Sequence, residues 1–246
     1  MIAEAMEKVA EMAKPEIIEA GGREYSSKPL YPVEDPIPKL VRNVHTLTGL
    51  VDYLHHNVDQ LNVLSLMIHI ESPTSVQLYS GLHGDFLVRA NLMTVQADVP
   101  DISFGRYQDA EGFIIMLQSM FHPGPDRDNT LRIVGNLKDS AIKTFADDGM
   151  TQQVTVKQGI TSVGEEVIHN PIALQPFRSF MEIEQPESAF ILRMESGPIG
   201  GLPLCCLFEA DGGAWRLDAI KRIRDWLATQ MAEKVTHASE SIAIIA

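Results

Sequence analysis

The sequence predicts an α+β fold with largely antiparallel β-sheets and three or four peripheral helices. Apolar residues recur at helical spacing in a few separate segments, and β-rich segments lie between them. The connections between consecutive β-rich segments are short. Because a parallel crossover needs a dozen or more residues, such short connections indicate antiparallel neighbours.

The composition is that of an ordinary globular protein, with 45% hydrophobic and 22% charged residues in a chain of 246. The formal net charge is −13, from 33 acidic and 20 basic side chains. Such a charge repels phosphate backbones, so it disfavours nucleic-acid binding through the whole surface. A local basic patch is not excluded by this argument.

The sequence carries no sign of a membrane or of secretion. The first 14 residues lack a basic region followed by an apolar run, and the apolar stretch over 61–70 is too short to span a bilayer. The two cysteines, Cys205 and Cys206, are adjacent and would point to opposite faces of a strand, so they form no disulfide framework. We therefore expect a cytoplasmic protein.

Residues 1–38 are predicted to form an N-terminal helix and a proline-rich extended arm. The helix ends near Pro15, and residues 21–39 contain two glycines and four prolines, which indicate a linker that crosses the body or reaches a neighbouring subunit. The apolar face of this helix comprises Ile2, Met6, Val9 and Ala13.

A globular domain is predicted over residues 39–235, opening with a short strand at 39–44. Thr46 is a good N-cap for the helix that follows. Strands are expected over 63–71, 76–80 and 86–97. The apolar face of the helix comprises Leu47, Leu50, Val51, Leu54 and Val58.

The middle of this domain is expected to begin with a second helix, capped by Asp109 and ending before Pro123. Residues 128–138 fit either a helix or a strand, and a helix is favoured. Residues 141–146 and 154–157 indicate a hairpin. The apolar stripe of the second helix comprises Phe113, Met116, Leu117 and Met120.

The last part of the domain is predicted to contain several strands and a closing helix near 214–231. The strands are expected over 167–175, 178–184, 188–195 and 203–209. The helix places Leu217, Ile220, Leu227 and Met231 on one face. Residues 236–246 form an apolar C-terminal tail, which we expect to pack on the body or on another subunit.

No catalytic, cofactor-binding or metal-binding residue is assigned. His69 and Glu71 share one face of a predicted strand, but a zinc site needs three or four ligands, so a solvent-facing polar set is the favoured interpretation. Glu182 and Glu184 also share a predicted strand face. A charged surface, or contact with Arg178 or Arg193, is the ordinary explanation for that pair. No cofactor is expected.

A basic cluster lies on the closing helix. Its members are spread around the helix rather than along one stripe, so ion pairs with this acidic protein are the favoured interpretation, and contact with nucleic acid or another anion is the alternative. The cluster comprises Arg216, Lys221, Arg222 and Arg224.

The order of segments over residues 39–231 resembles the YfdQ-like family of phage and prophage proteins, a domain of unknown function. The resemblance is carried by LQPFRSF at 174–180 and EIEQP at 182–186, after TVKQG at 155–159. A capped helix like TLTGLVDYLHH and a second like DAEGFIIMLQSMF come earlier in the chain. The resemblance implies a phage or prophage origin and no established activity, and it supplies no site residues.

These observations predict a non-enzymatic phage or prophage protein of the host cytoplasm. It is expected to act as a homo-oligomeric assembly or as a binder of a host or phage protein. One alternative is an accessory in phage DNA replication or recombination, which would bind through the basic cluster. The other is a metal- or nucleotide-dependent hydrolase using His69 and Glu71. The candidate subunit contacts are Ile2, Met6, Val9, Ile242, Ile244 and Ile245.

Overall fold

A computed structural model describes residues 2–28, 43–83, 87–137, 142–147, 151–158, 162–197, 203–235 and 242–246. The chain divides into an N-terminal unit, Met1–Pro38, and a larger unit, Lys39–Ala246. Helices and antiparallel and mixed sheets together confirm the predicted α+β class. Among the described residues, no helix combines the length and the apolar character that crossing a bilayer requires.

The helices are α1 Ile2–Met12, α2 Leu47–His56, α3 Ala110–Met120, α4 Pro125–Leu137 and α5 Ala214–Lys234, with a short 3₁₀ helix at Val63–Ser65. The strands are β1 Ile17–Ala20, β2 Arg23–Ser26, β3 Asn43–Val44, β4 Met67–Ser72, β5 Ser75–Tyr79, β6 Asn91–Gln96, β7 Gln108–Asp109, β8 Ile142–Asp147, β9 Thr151–Gln158, β10 Ser162–His169, β11 Ile172–Leu174, β12 Ser188–Ser196, β13 Pro203–Glu209 and β14 Ala243–Ile245.

The N-terminal unit consists of helix α1 followed by the antiparallel hairpin β1–β2. The turn is Gly21-Gly22, where both residues have positive φ, at 61° and 75°, which glycine adopts without a steric cost. The predicted linker over 21–39 is therefore wrong at its start, because the glycine pair reverses the chain and residues 23–26 form a strand. The proline-rich stretch at 29–42 lies outside the described residues.

One core of the larger unit lies between a five-stranded sheet and helices α2 and α5. The strand order is β14-β4-β5-β6-β3. The central strands are antiparallel, and the edge strands β3 and β14 each run parallel to their neighbour. The buried helix residues of this core include Leu47, Leu50, Val51 and Leu54 of α2 and Ile223, Leu227 and Met231 of α5.

Thr46 caps α2 as predicted, since its Oγ1 accepts a hydrogen bond from the Gly49 amide at 3.1 Å. Two residues that were predicted to lie on the buried faces of these helices are exposed instead. Val58 is 70% exposed because α2 ends at His56 and Asn57 takes a left-handed conformation. Leu217 is 74% exposed, and the buried face of α5 passes through Ile223 instead.

The second core lies under a four-stranded antiparallel sheet in the order β11-β12-β13-β7, with α3 and α4 packed against it. Asp109 caps α3 through the Gly112 amide at 2.8 Å, as predicted. The ambiguous segment 128–138 is helical over most of its length, within α4. Three phenylalanine rings, Phe104, Phe121 and Phe190, meet in this core with centroids 5.2–6.5 Å apart.

The segment between β11 and β12 contains no strand, so the prediction of one over 178–184 is wrong. Its turns are held by the buried amide of Gln185, whose Oε1 accepts from the amides of Arg178 and Ser179 at 3.0 and 3.1 Å. The Gln185 Nε2 donates to the Phe180 carbonyl at 2.9 Å. Because a side chain satisfies these backbone groups, the segment is buried without a sheet ladder.

Strands β8, β9 and β10 form a separate antiparallel sheet, which confirms the hairpin expected at 141–157. The single strand predicted over 167–175 is instead divided into β10 and β11 at Asn170-Pro171. There the Asn170 side chain exchanges two hydrogen bonds with the backbone of Leu192 on β12, at 2.8 and 3.1 Å. A side chain thus replaces ladder bonds where proline has no donor.

Candidate functional site

The predicted polar pair on β4 belongs to a hydrogen-bonded sheet surface. Glu71 accepts from Ser75 Oγ at 2.9 Å and from Gln77 Nε2 at 2.7 Å. The His69 ring lies 6.4 Å from the ring of Tyr79 on β5. Within the described ranges, no group of three or more His, Cys, Asp or Glu side chains is arranged to hold a metal ion. In the sequence, Asp85 is one of the nearest further metal-donor side chains to this pair, and it lies outside those ranges.

Glu182 and Glu184 have separate partners and do not lie on a strand. Glu182 accepts from the amide of Thr48, in the first turn of α2, at 3.1 Å. Glu184 forms an ion pair with Arg222 at 2.8 Å. Glu182 therefore satisfies a free amide at a helix N-terminus, where a carboxylate also complements the helix dipole.

The basic cluster of α5 is largely engaged within the protein. Arg222 contacts both Glu184 at 2.8 Å and Asp218 at 2.9 Å. Arg224 lies 3.5 Å from Asp225, and Arg216 stacks over the ring of Trp215 with its Cζ 4.9 Å from the centroid. Lys221 is exposed. Ion pairs of Arg222 and Arg224 therefore offset much of the positive charge that a phosphate backbone would need.

Arg178 is a charged residue whose side chain is only 8% exposed. Its guanidinium donates to Glu209 at 2.8 Å and to the hydroxyl of Ser188. The same group lies over the ring of Trp215, with Cζ 3.8 Å from the centroid. Arg178 therefore links the segment between β11 and β12 to β13 and to the start of α5.

Asp211 completes this network at the N-terminus of α5. It accepts from the hydroxyl of Ser188 at 2.7 Å and from the amides of Gly213 and Trp215 at 2.9 and 3.3 Å. We define the Arg178 network as Arg178, Ser188, Glu209, Asp211 and Trp215. It contains one guanidinium and two carboxylates, and the guanidinium forms an ion pair with Glu209.

The ionisation of the network follows from its burial and its hydrogen bonds. Burial lowers the pKa of Arg178 to about 10, and Glu209 and Asp211 offset part of that effect. Burial alone would raise the pKa of Asp211. The hydrogen bonds from Ser188, Gly213 and Trp215 outweigh it, so the pKa of Asp211 lies below its ordinary value. Both groups are charged at neutral pH.

The Arg178 network is built for packing rather than for catalysis. Ser188 is 4% exposed, so its hydroxyl is closed to a substrate, and its partners are a carboxylate and a guanidinium. Neither group is the general base that activates a serine nucleophile in a triad. The sequence interpretation missed this burial, because it treated Arg178 as an ordinary partner for Glu182 or Glu184. The apolar residues on both sides of Arg178 in the sequence were the feature that could have indicated its burial.

The adjacent cysteines are both fully buried and unpaired. Burial, with a smaller contribution from Asp109, raises the pKa of Cys205 to about 12, and burial also raises the pKa of Cys206. A thiol is nucleophilic as its thiolate, so neither residue is a reactive cysteine at neutral pH.

The candidate subunit contacts differ in exposure. Every side chain that the structure describes in the N-terminal unit is exposed, including Met6 at 69% and Val9 at 66%. The side chain of Ile2 lies outside the described part. At the other end of the chain, Ile242 is 6% exposed and Ile244 packs against the first core, whereas Ile245 is 48% exposed.

Comparison of the chain with protein-family models, with curated proteins and with solved structures finds no match.

Proposed function

We propose that this chain is a non-enzymatic protein that acts as a homo-oligomeric assembly or binding protein, of the phage or prophage origin that its resemblance implies. We place it in the host cytoplasm. The observation that supports the proposal is that every described side chain of the N-terminal unit is exposed, apolar side chains included. The paired charges of the Arg178 network agree with a structural use of its polar groups.

The N-terminal unit is too small to be stable by itself. Helix α1 has 11 residues, and isolated helices shorter than about 12 residues are marginal in water. The hairpin β1–β2 has two strands of four residues, and an isolated two-stranded hairpin is also marginal. An ordered helix and hairpin of this size therefore require a protein surface that covers their apolar side chains.

Native mass spectrometry and light scattering of the full-length protein at micromolar concentration test the proposal. We expect a defined complex whose mass is a multiple of the 27.2 kDa chain. A monodisperse monomer across this concentration range would contradict self-association. Native mass spectrometry also reports any retained small ligand, which would contradict the non-enzymatic assignment if it proved to be a substrate or a cofactor.

A further inference from the structure

We draw no further inference here: the strongest candidate, the polar outer face of the five-stranded sheet, where Gln77 bonds to Glu71, Tyr79 and Asn91, carries nothing because these side chains satisfy one another and nothing in the structure shows what covers that face.

Discussion

At the scale of single residues, Arg178 and Arg222 form ion pairs of equal length in different surroundings. Each guanidinium lies 2.8 Å from a carboxylate oxygen. The side chains of Arg178 and Glu209 are 8% and 31% exposed, whereas those of Arg222 and Glu184 are 31% and 77% exposed. Only the first pair is largely removed from water, so the two arginines should contribute very differently to stability.

We expect Arg178→Ala to lower the free energy of unfolding by about 3 kcal/mol, because it leaves a partly buried carboxylate unpaired and a gap beside Trp215. The matched variant Arg222→Ala should cost at most about 1 kcal/mol. Urea denaturation of both variants measures the difference. Equal losses would show that the Arg178 network contributes no more than a surface pair.

The contribution of Asp211 to the free energy of unfolding depends on pH. The pKa of Asp211 is lower in the folded protein than its ordinary value, which is about 3.9 in an unfolded chain. Its stabilising contribution is therefore present above pH 4 and is lost as the pH falls through the lower, folded-state pKa. We expect Asp211→Asn to be less stable than the wild type at pH 7 and to approach it in stability at pH 2.

Urea denaturation at several pH values measures this convergence. Asp211→Asn keeps the shape of the side chain and one of its two oxygen acceptors, so it accepts from the Gly213 amide or from the Trp215 amide but not from both, and this loss does not depend on pH. A difference in stability that stays constant from pH 2 to pH 7 would show that the charge of Asp211 contributes nothing.

At the scale of helices, Gly49 and Gly135 differ in the space around them, so replacing each with alanine distinguishes the effect of helix propensity from that of packing. Gly49 in α2 lies against β3, and a Cβ at that position would be 2.5 Å from Val44 Cγ1 and 3.0 Å from the capping Oγ1 of Thr46. A Cβ at Gly135 in α4 would meet no heavy atom within 4 Å. Helix propensity favours alanine over glycine equally at both sites.

We expect Gly135→Ala to raise the free energy of unfolding by about 1 kcal/mol. Gly49→Ala should lower it by about 1 kcal/mol or more, because the new methyl group displaces Val44 and disturbs the cap. Thermal or urea denaturation of the two variants checks both signs. Stabilisation by Gly49→Ala would mean that β3 moves away from α2 at little cost.

Local patterns predicted the helices of the larger unit and failed in the segment between β11 and β12. The caps Thr46 and Asp109 and the stripes that follow them depend on neighbours within a few residues, which the sequence displays. The alternation at 178–184 resembles a strand. The buried amide of Gln185 instead satisfies the backbone groups of this segment, and no local sequence pattern predicts such a contact.

At the scale of the whole molecule, the C-terminal residues complete the five-stranded sheet. Strand β14 runs parallel to β4, and Ile242, just before it, is buried in the first core. The sequence predicted that this tail packs either on the body of the protein or on another subunit. The described residues of the tail pack on the body. Because β14 covers one edge of β4, it also protects that edge from pairing with other chains.

We expect Ile242→Ala to lower the free energy of unfolding by about 3 kcal/mol, since a buried isoleucine leaves a cavity in the core. Ile245→Ala, at a site that is 48% exposed, should change it by less than about 1 kcal/mol. Urea denaturation of the two variants provides the comparison. Similar small effects would indicate that the C-terminal residues leave the sheet readily in solution.

The sequence by itself determined the α+β class, the capped helices of the larger unit and the apolar sector of α1, because each depends on residues that are close along the chain. Only the tertiary structure decided that Arg178 is buried against Trp215, that β14 joins β4 in parallel, and that Leu217 faces outward. Those outcomes depend on contacts between residues far apart in sequence, and on which side of each element the two cores form.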